Sequence, residues 1–225
     1  MKIGVSVLGL CVVLGWVSAA AAEEVPPART GFQLALRTGY SIPMGKTGFA
    51  VPNLQTGSVG YGMSEVTTGQ VPIIVDVGGK IIPQLFLGGY FGLAFGGEAG
   101  GAKAACEYNG GACISVSAYL GIEAQYHILP AGPVNPWLGY GIGVESLAVS
   151  EGNNSNNNLS FGGFQFARLM GGVDFRVNRT FGVGPFVDLA LGRYSSVSEG
   201  SRSVDINGGP GHQWLTLGVR FVFFP

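Results

Sequence analysis

Charge is what this sequence has least of. Its 12 Lys and Arg and 13 Asp and Glu make up only 11% of 225 residues, less than half the usual share in a soluble domain. No basic patch or run stands out, so nothing provides the footprint that a nucleic acid needs. Histidine occurs twice and cysteine three times, too sparsely placed to assemble a zinc site. After the first 22 residues there is no apolar run long enough to cross a bilayer as a helix. No period of 20 to 50 residues repeats, which sets propellers and solenoids aside.

The first 22 residues read as an export signal rather than as part of a fold. Lys2 supplies a positive start, Ile3 to Val17 an apolar stretch, and Ser18 to Ala22 the small residues that signal peptidase accepts, with cleavage before Glu23. Cys11 lies inside that stretch, which leaves Cys106 and Cys113 in the mature chain. They flank a turn-forming segment, Glu107 to Ala112. An even cysteine count around a turn in an exported protein predicts a local disulfide.

What the chain has in plenty is glycine, 40 residues, and alternation. Phe32, Leu34, Leu36, Tyr40 and Ile42 share one parity; Gln33, Ala35, Arg37, Gly39 and Ser41 share the other. That is a strand with one apolar and one polar face, ended by Pro43 and followed by a loop to about Gly69. The same period marks a second strand over about 70–80, with Val71, Ile73, Val75 and Val77 on its apolar side. A third follows Pro83, with Leu85, Leu87, Phe91, Leu93 and Phe95. The fourth covers about 115–128, with Val116, Leu120, Ile122 and Tyr126. After a connection from Pro130 to Pro136, the fifth carries Leu138, Tyr140, Ile142 and Val144. The sixth covers about 163–177, with Ala167, Leu169, Val173 and Phe175. A turn at Asn178 to Thr180 leads to the seventh, with Val183, Val187, Leu189 and Leu191. A Ser/Gly-rich loop over 195–211 precedes the eighth, whose apolar parity is Leu215, Leu217, Val219, Phe221 and Phe223.

The connections therefore alternate long and short, and the strands run to about 10 to 14 residues, long enough to cross a membrane at a tilt. Few charges, abundant glycine and no helical span fit one fold class: an all-β, eight-stranded, antiparallel up-and-down transmembrane β-barrel. Its outer face must be apolar, and its closed sheet pairs every backbone group. The barrel domain is assigned to 31–225, after a short periplasmic segment at 23–30.

The closing run Trp214 to Phe224 resembles the C-terminal signal of bacterial outer-membrane barrels, where alternating apolar residues end on an aromatic. Leu217, Val219, Phe221 and Phe223 carry that pattern here. With the export signal and the strand rhythm, the mature chain resembles the small barrel class of OmpA (its membrane domain), OmpX and OmpW. The resemblance implies location in the bacterial cell outer membrane, contact with its lipids, and delivery by the barrel-assembly machinery. It carries no activity across.

The remaining charges say most about the interior. Arg37, Asp76, Glu123, Glu145, Arg168, Asp188 and Arg220 all fall on the inward parity of their strands. Unpaired buried charge is strongly unfavourable, so these residues are expected to pair into a salt-bridged network that fills the barrel and closes any continuous pore. The glycines of 139–143 superficially resemble a dinucleotide loop but precede no helix; inward strand glycines account for them. Gly45, Lys46 and Thr47 resemble the end of a phosphate loop, but the required upstream glycine position holds Tyr40. The expected function is non-enzymatic: an envelope barrel with a structural role or a surface-loop interaction role, needing no cofactor or metal. Two alternatives are a narrow porin-like channel for small solutes, or a lipid-modifying enzyme in which His212 would act with a serine of its own loop, Ser201 or Ser203.

Overall fold

The computed structural model describes residues 30–47, 62–99, 113–151, 159–199, 202–206 and 210–224. The export signal, Cys106 and the Asn-rich segment at 152–158 lie outside them. So does most of the periplasmic segment.

Ten elements follow one another: β1 (Gly31–Gly45), α1 (Met63–Val66), β2 (Thr67–Ile82), β3 (Leu85–Glu98), β4 (Cys113–His127), β5 (Val134–Glu151), β6 (Leu159–Arg176), β7 (Phe181–Glu199), β8 (Arg202–Asp205) and β9 (His212–Phe223). Neighbouring strands pair antiparallel from β1 to β7, and β9 lies between β7 and β1. Because β6 also pairs with β7, the sheet closes on itself as an eight-stranded barrel. Closure leaves no edge within it. Short turns at 83–84, 128–133 and 177–180 gather at one end with the start of β1 and the end of β9. The longer connections gather at the other end.

Alternation assigns the two faces. Along β1, Gln33, Ala35, Arg37 and Ser41 are buried while Phe32, Leu36, Tyr40 and Ile42 are exposed. Along β9, His212, Trp214, Thr216, Arg220 and Val222 are buried while Leu217, Val219 and Phe223 are exposed.

Four boundaries differ from the sequence reading. Pro43 does not end β1, which continues to Gly45 and pairs with β9 there. The ladder between β1 and β2 has already stopped at Ser41, so Pro43 lies where the strand is paired on one side only, the setting that tolerates a residue without an N–H. Pro136 repeats this logic: it sits inside β5, paired with Val173 of β6 but beyond the last β4 partner, Trp137. The loop to Gly69 is shorter than expected, because α1 and the first residues of β2 occupy its end. The stretch at 195–211 is not all loop either. There β7 runs on to Glu199 and forms a hairpin with β8 that projects past the barrel.

Besides the register shifts near the two ends of β2, at Thr67/Gln70 and Lys80/Ile82, there are two bulges, in β6 and β7. One in β6, between Gln165 and Ala167, leaves both Phe164 and Phe166 exposed while Phe161 and Arg168 are both buried. One in β7, next to Ser195, lets Tyr194 and Val197 both turn inward. Each adds a residue to one strand and reverses parity beyond it.

The interior has two compositions. At the long-connection end it is apolar: Met63 and Val66 of α1 pack with Leu147, Phe161, Tyr194 and Trp214. Below this cap charged and polar side chains share the interior with a second apolar cluster of Trp137, Met170 and Phe186.

Candidate functional site

Tyr90 shows how the sequence makes room for this interior. A Cβ built on Gly121 or on Gly143 would lie 2.5 Å from the Tyr90 hydroxyl. These small residues on β4 and β5 let the phenol from β3 cross the barrel and donate to Gln165 Oε1 at 3.1 Å. Gly143→Val is therefore expected to displace Tyr90, break that bond and cost about 1–3 kcal/mol by overpacking. A lower unfolding midpoint by tryptophan fluorescence checks it, and a wild-type midpoint refutes it.

At mid-barrel, Arg37 of β1 is fully buried and surrounded by acceptors. Its Nη2 donates to Asp76 Oδ1 at 2.7 Å and to Glu123 Oε2 at 3.3 Å, and its Nη1 donates to Asp188 Oδ2 at 3.0 Å. Met170 Sδ lies 3.0 Å from Nη1. Asp188 also accepts from Arg168 Nε at 2.7 Å. The Arg168 guanidinium lies between two rings, 4.7 Å from the Tyr90 centroid and 4.8 Å from that of Tyr119, a placement favoured by the negative faces of the rings.

Toward the short-turn end, Gln125 Nε2 donates to Glu123 Oε1 at 2.7 Å, and Gln125 Oε1 accepts from Arg220 Nη2 at 2.7 Å. Arg220 Nη1 donates to Asp174 Oδ2 at 2.9 Å, and its guanidinium stacks 4.3 Å from the Trp137 ring. Arg37 and Arg220 stand directly opposite across the β1–β9 ladder. Like charges so placed repel, but each guanidinium turns to its own carboxylates. Lys80 places its Nζ 5.0 Å over the Phe224 ring at this end. Asn135 Nδ2 lies 2.8 Å from His127 Nδ1, while Asn135 Oδ1 accepts from the Leu129 N–H at 3.2 Å, so one side chain ties β5 to the turn before it.

Toward the long-connection end, Gln165 Nε2 donates to Glu145 Oε2 at 2.6 Å, and Glu145 Oε1 meets His212 Nε2. The His212 ring stacks on Tyr194 at 4.0 Å. A polar chain thus runs from Asp174 to His212 across the height of the barrel, joined at its middle by the stacking of Arg168 on Tyr90.

Of the seven charged residues singled out from parity, Arg37, Asp76, Glu123, Asp188 and Arg168 meet in one cluster. Arg220 reaches it through Gln125, and Glu145 lies apart with His212. Asp174 and Lys80 belong to the interior as well, and both carry inward parity in the sequence. The His212–Glu145 contact had no sequence signal, since the partners are 67 residues apart. Among the described residues His212 meets Glu145, not Ser203: its ring is buried in the barrel, and the Ser203 hydroxyl accepts from Ser198 at 3.1 Å. Ser201 lies outside the described residues. Cys113 opens β4, but its expected partner Cys106 lies outside them. Leu217, Val219, Phe221 and Phe223 line the outer face of β9.

Between the charged cluster and the apolar cap lies a cavity of about 20 Å³ whose lining includes Ser41, Gln70, Ser117, Glu145, Gln165 and Thr216. That is room for about one water molecule.

No protein-family model matches the chain, and no curated protein does. Among solved structures it is similar to Neisserial surface protein A, at 14% identity over 85% of this chain and 97% of that one, TM-score 0.48. It is similar to the outer membrane protein AlkL, at 14% identity over 92% and 97%, TM-score 0.49. It is also similar to the outer membrane protein OprG of Pseudomonas aeruginosa, at 10% identity over 88% and 99%, TM-score 0.44. On its own strand pairing, the chain is a small closed eight-stranded barrel, the architecture of the class that its C-terminal run resembles.

Proposed function

We propose that this chain is a non-enzymatic integral protein of the bacterial outer membrane, a sealed barrel that presents its long-connection end, including the β7–β8 hairpin, to surface ligands. The partition of charge carries the reading. Apart from Arg176, at the end of β6, and Arg193, beyond the β7–β9 ladder, every charged side chain described on the barrel strands is buried inside. The outer face between those levels is apolar, with Ile122 and Leu138 more than 60% exposed. A soluble monomer rarely shows such a continuous apolar surface, whereas a closed sheet in lipid requires it. Export on a signal at residues 1–22, delivery by the barrel-assembly machinery reading Leu217 to Phe223, and oxidation of Cys106 with Cys113 belong to the same proposal.

The interior supports a sealed scaffold over a conduit. Arg37, Asp76, Glu123, Arg168 and Asp188 meet across the lumen, and α1 and its apolar partners fill the upper mouth. Purified, folded protein in a planar bilayer is expected to give no discrete conductance steps, and to migrate differently on detergent gels before and after boiling. Regular steps of fixed size would overturn the sealed reading. Identical migration, with the protein in the soluble fraction, would overturn the membrane reading.

A further inference from the structure

Two residues that line the cavity each carry a buried polar atom with no hydrogen-bond partner among the described residues: Arg168 Nη1 from β6 and Ser117 Oγ from β4. Their side chains are almost fully buried. The rest of the Arg168 guanidinium is engaged, with Nε and Nη2 each 2.7 Å from Asp188 Oδ2. A buried donor without an acceptor is costly, the more so on a charged group. The lining also bars an ion of either sign. Arg168 repels a cation. Glu145 repels an anion, and its two oxygens are already taken by His212 and Gln165. Among the described residues, five interior carboxylates stand against four arginine and lysine side chains, which disfavours a further negative charge. What fits a space of about 20 Å³ with such a wall is small and neutral, and both accepts and donates.

We propose that the cavity is the site of one water molecule held as a fixed part of the barrel, accepting from Arg168 Nη1 and bonded to Ser117 Oγ. Its third bond goes to the Ser41–Thr216 pair, whose hydroxyls share one hydrogen bond at 2.7 Å and keep lone pairs free. Buried waters make about three such bonds. The water ties β4 to β6, two strands that each pair with β5 but not with one another. Through the third bond it reaches β1 and β9. It therefore extends the mid-barrel charge cluster toward the apolar cap. Ala94 and Ala190 line the cavity, and their small side chains keep it open.

The first test is a crystal structure of the full mature barrel, at a resolution that shows ordered water. One peak is expected within hydrogen-bond distance of both Arg168 Nη1 and Ser117 Oγ. No peak there would overturn the proposal. So would anomalous signal at the peak after bromide or rubidium soaks, which would make it an ion. The second test compares two variants of one shape in detergent. Ala94→Val fills the cavity and displaces the water, leaving Arg168 Nη1 without its acceptor, and is expected to unfold several degrees below the native barrel. Ala94→Thr returns a hydroxyl to that place and is expected to recover most of the drop. Were the space dry, the valine would be the more stable of the two, because a buried hydroxyl without a partner is costly. Equal drops, or a valine variant as stable as the native barrel, would overturn the proposal. Should neither variant fold, the crystal structure decides. Both tests run in detergent, so the membrane reading stands or falls separately.

Discussion

Arg37→Met is expected to be the most damaging single substitution in the interior, lowering stability by about 3–5 kcal/mol. The guanidinium makes contacts of 2.7, 3.3 and 3.0 Å with Asp76, Glu123 and Asp188. These carboxylates come from three different strands, and Arg37 links them to a fourth. Without it, Asp76 and Glu123 lose their only arginine, and the cluster keeps only Arg168. The loss does not measure how much the ion pairs stabilise the barrel, because buried pairs gain little over apolar packing. It measures the charge left uncompensated. The double variant Arg37→Met with Asp76→Leu removes one charge of each sign and restores the original excess of carboxylate over cation. It is expected to recover most of the loss. Urea midpoints of the refolded variants check both, with slopes compared to confirm that each unfolds from a similar state. A single variant with the wild-type midpoint would show that the cluster is not held by this arginine. A double variant no better than the single would show that packing, not charge, is what Arg37 supplies.

The strand faces were legible in the sequence because a period of two depends on nothing beyond the strand itself. Arg37, Asp76 and Arg220 could be assigned to the interior from their immediate neighbours alone. Which charge meets which could not be. Arg37 and Asp188 are 151 residues apart, and Gln125 and Arg220 are 95; their meeting depends on register and on closure between β9 and its neighbours. The bulges were hidden for a related reason. Phe164 and Phe166 alternate normally, and only the partner strands reveal that an extra residue separates Gln165 from Arg168. Composition misled at 195–211, where serine and glycine read as loop but backbone pairing makes a hairpin. It misled at Pro43 and Pro136 as well, because proline is excluded only where its nitrogen would have to donate, and both lie past the end of one ladder. The small helix α1 has four residues, too few for any helical period to show, yet Met63 and Val66 supply the cap over the polar interior.

The outer face gives the sharpest test of the surrounding medium. Leu120 lies at the middle of β4, paired with Phe91 on one side and Val144 on the other, and its side chain points out of the barrel. In a bilayer, Leu120→Arg places a guanidinium near the midplane, at an expected cost of about 2–4 kcal/mol. Leu129, equally outward but in the turn after β4, sits where lipid gives way to water. There Leu129→Arg is expected to cost about 0–1 kcal/mol. Depth, not exposure, separates the two, since both leucines are more than half exposed. Water around the barrel would erase the contrast, because surface substitutions away from special features shift stability by about 0.5 kcal/mol or less. Urea unfolding from lipid vesicles, followed by the fluorescence of the buried Trp137 and Trp214, measures both variants against the native barrel. A cost at Leu120 that exceeds the cost at Leu129 by about 2 kcal/mol is the signature of lipid. Equal and small costs would mean that the apolar belt faces another protein surface or water, and the envelope assignment would fall with it.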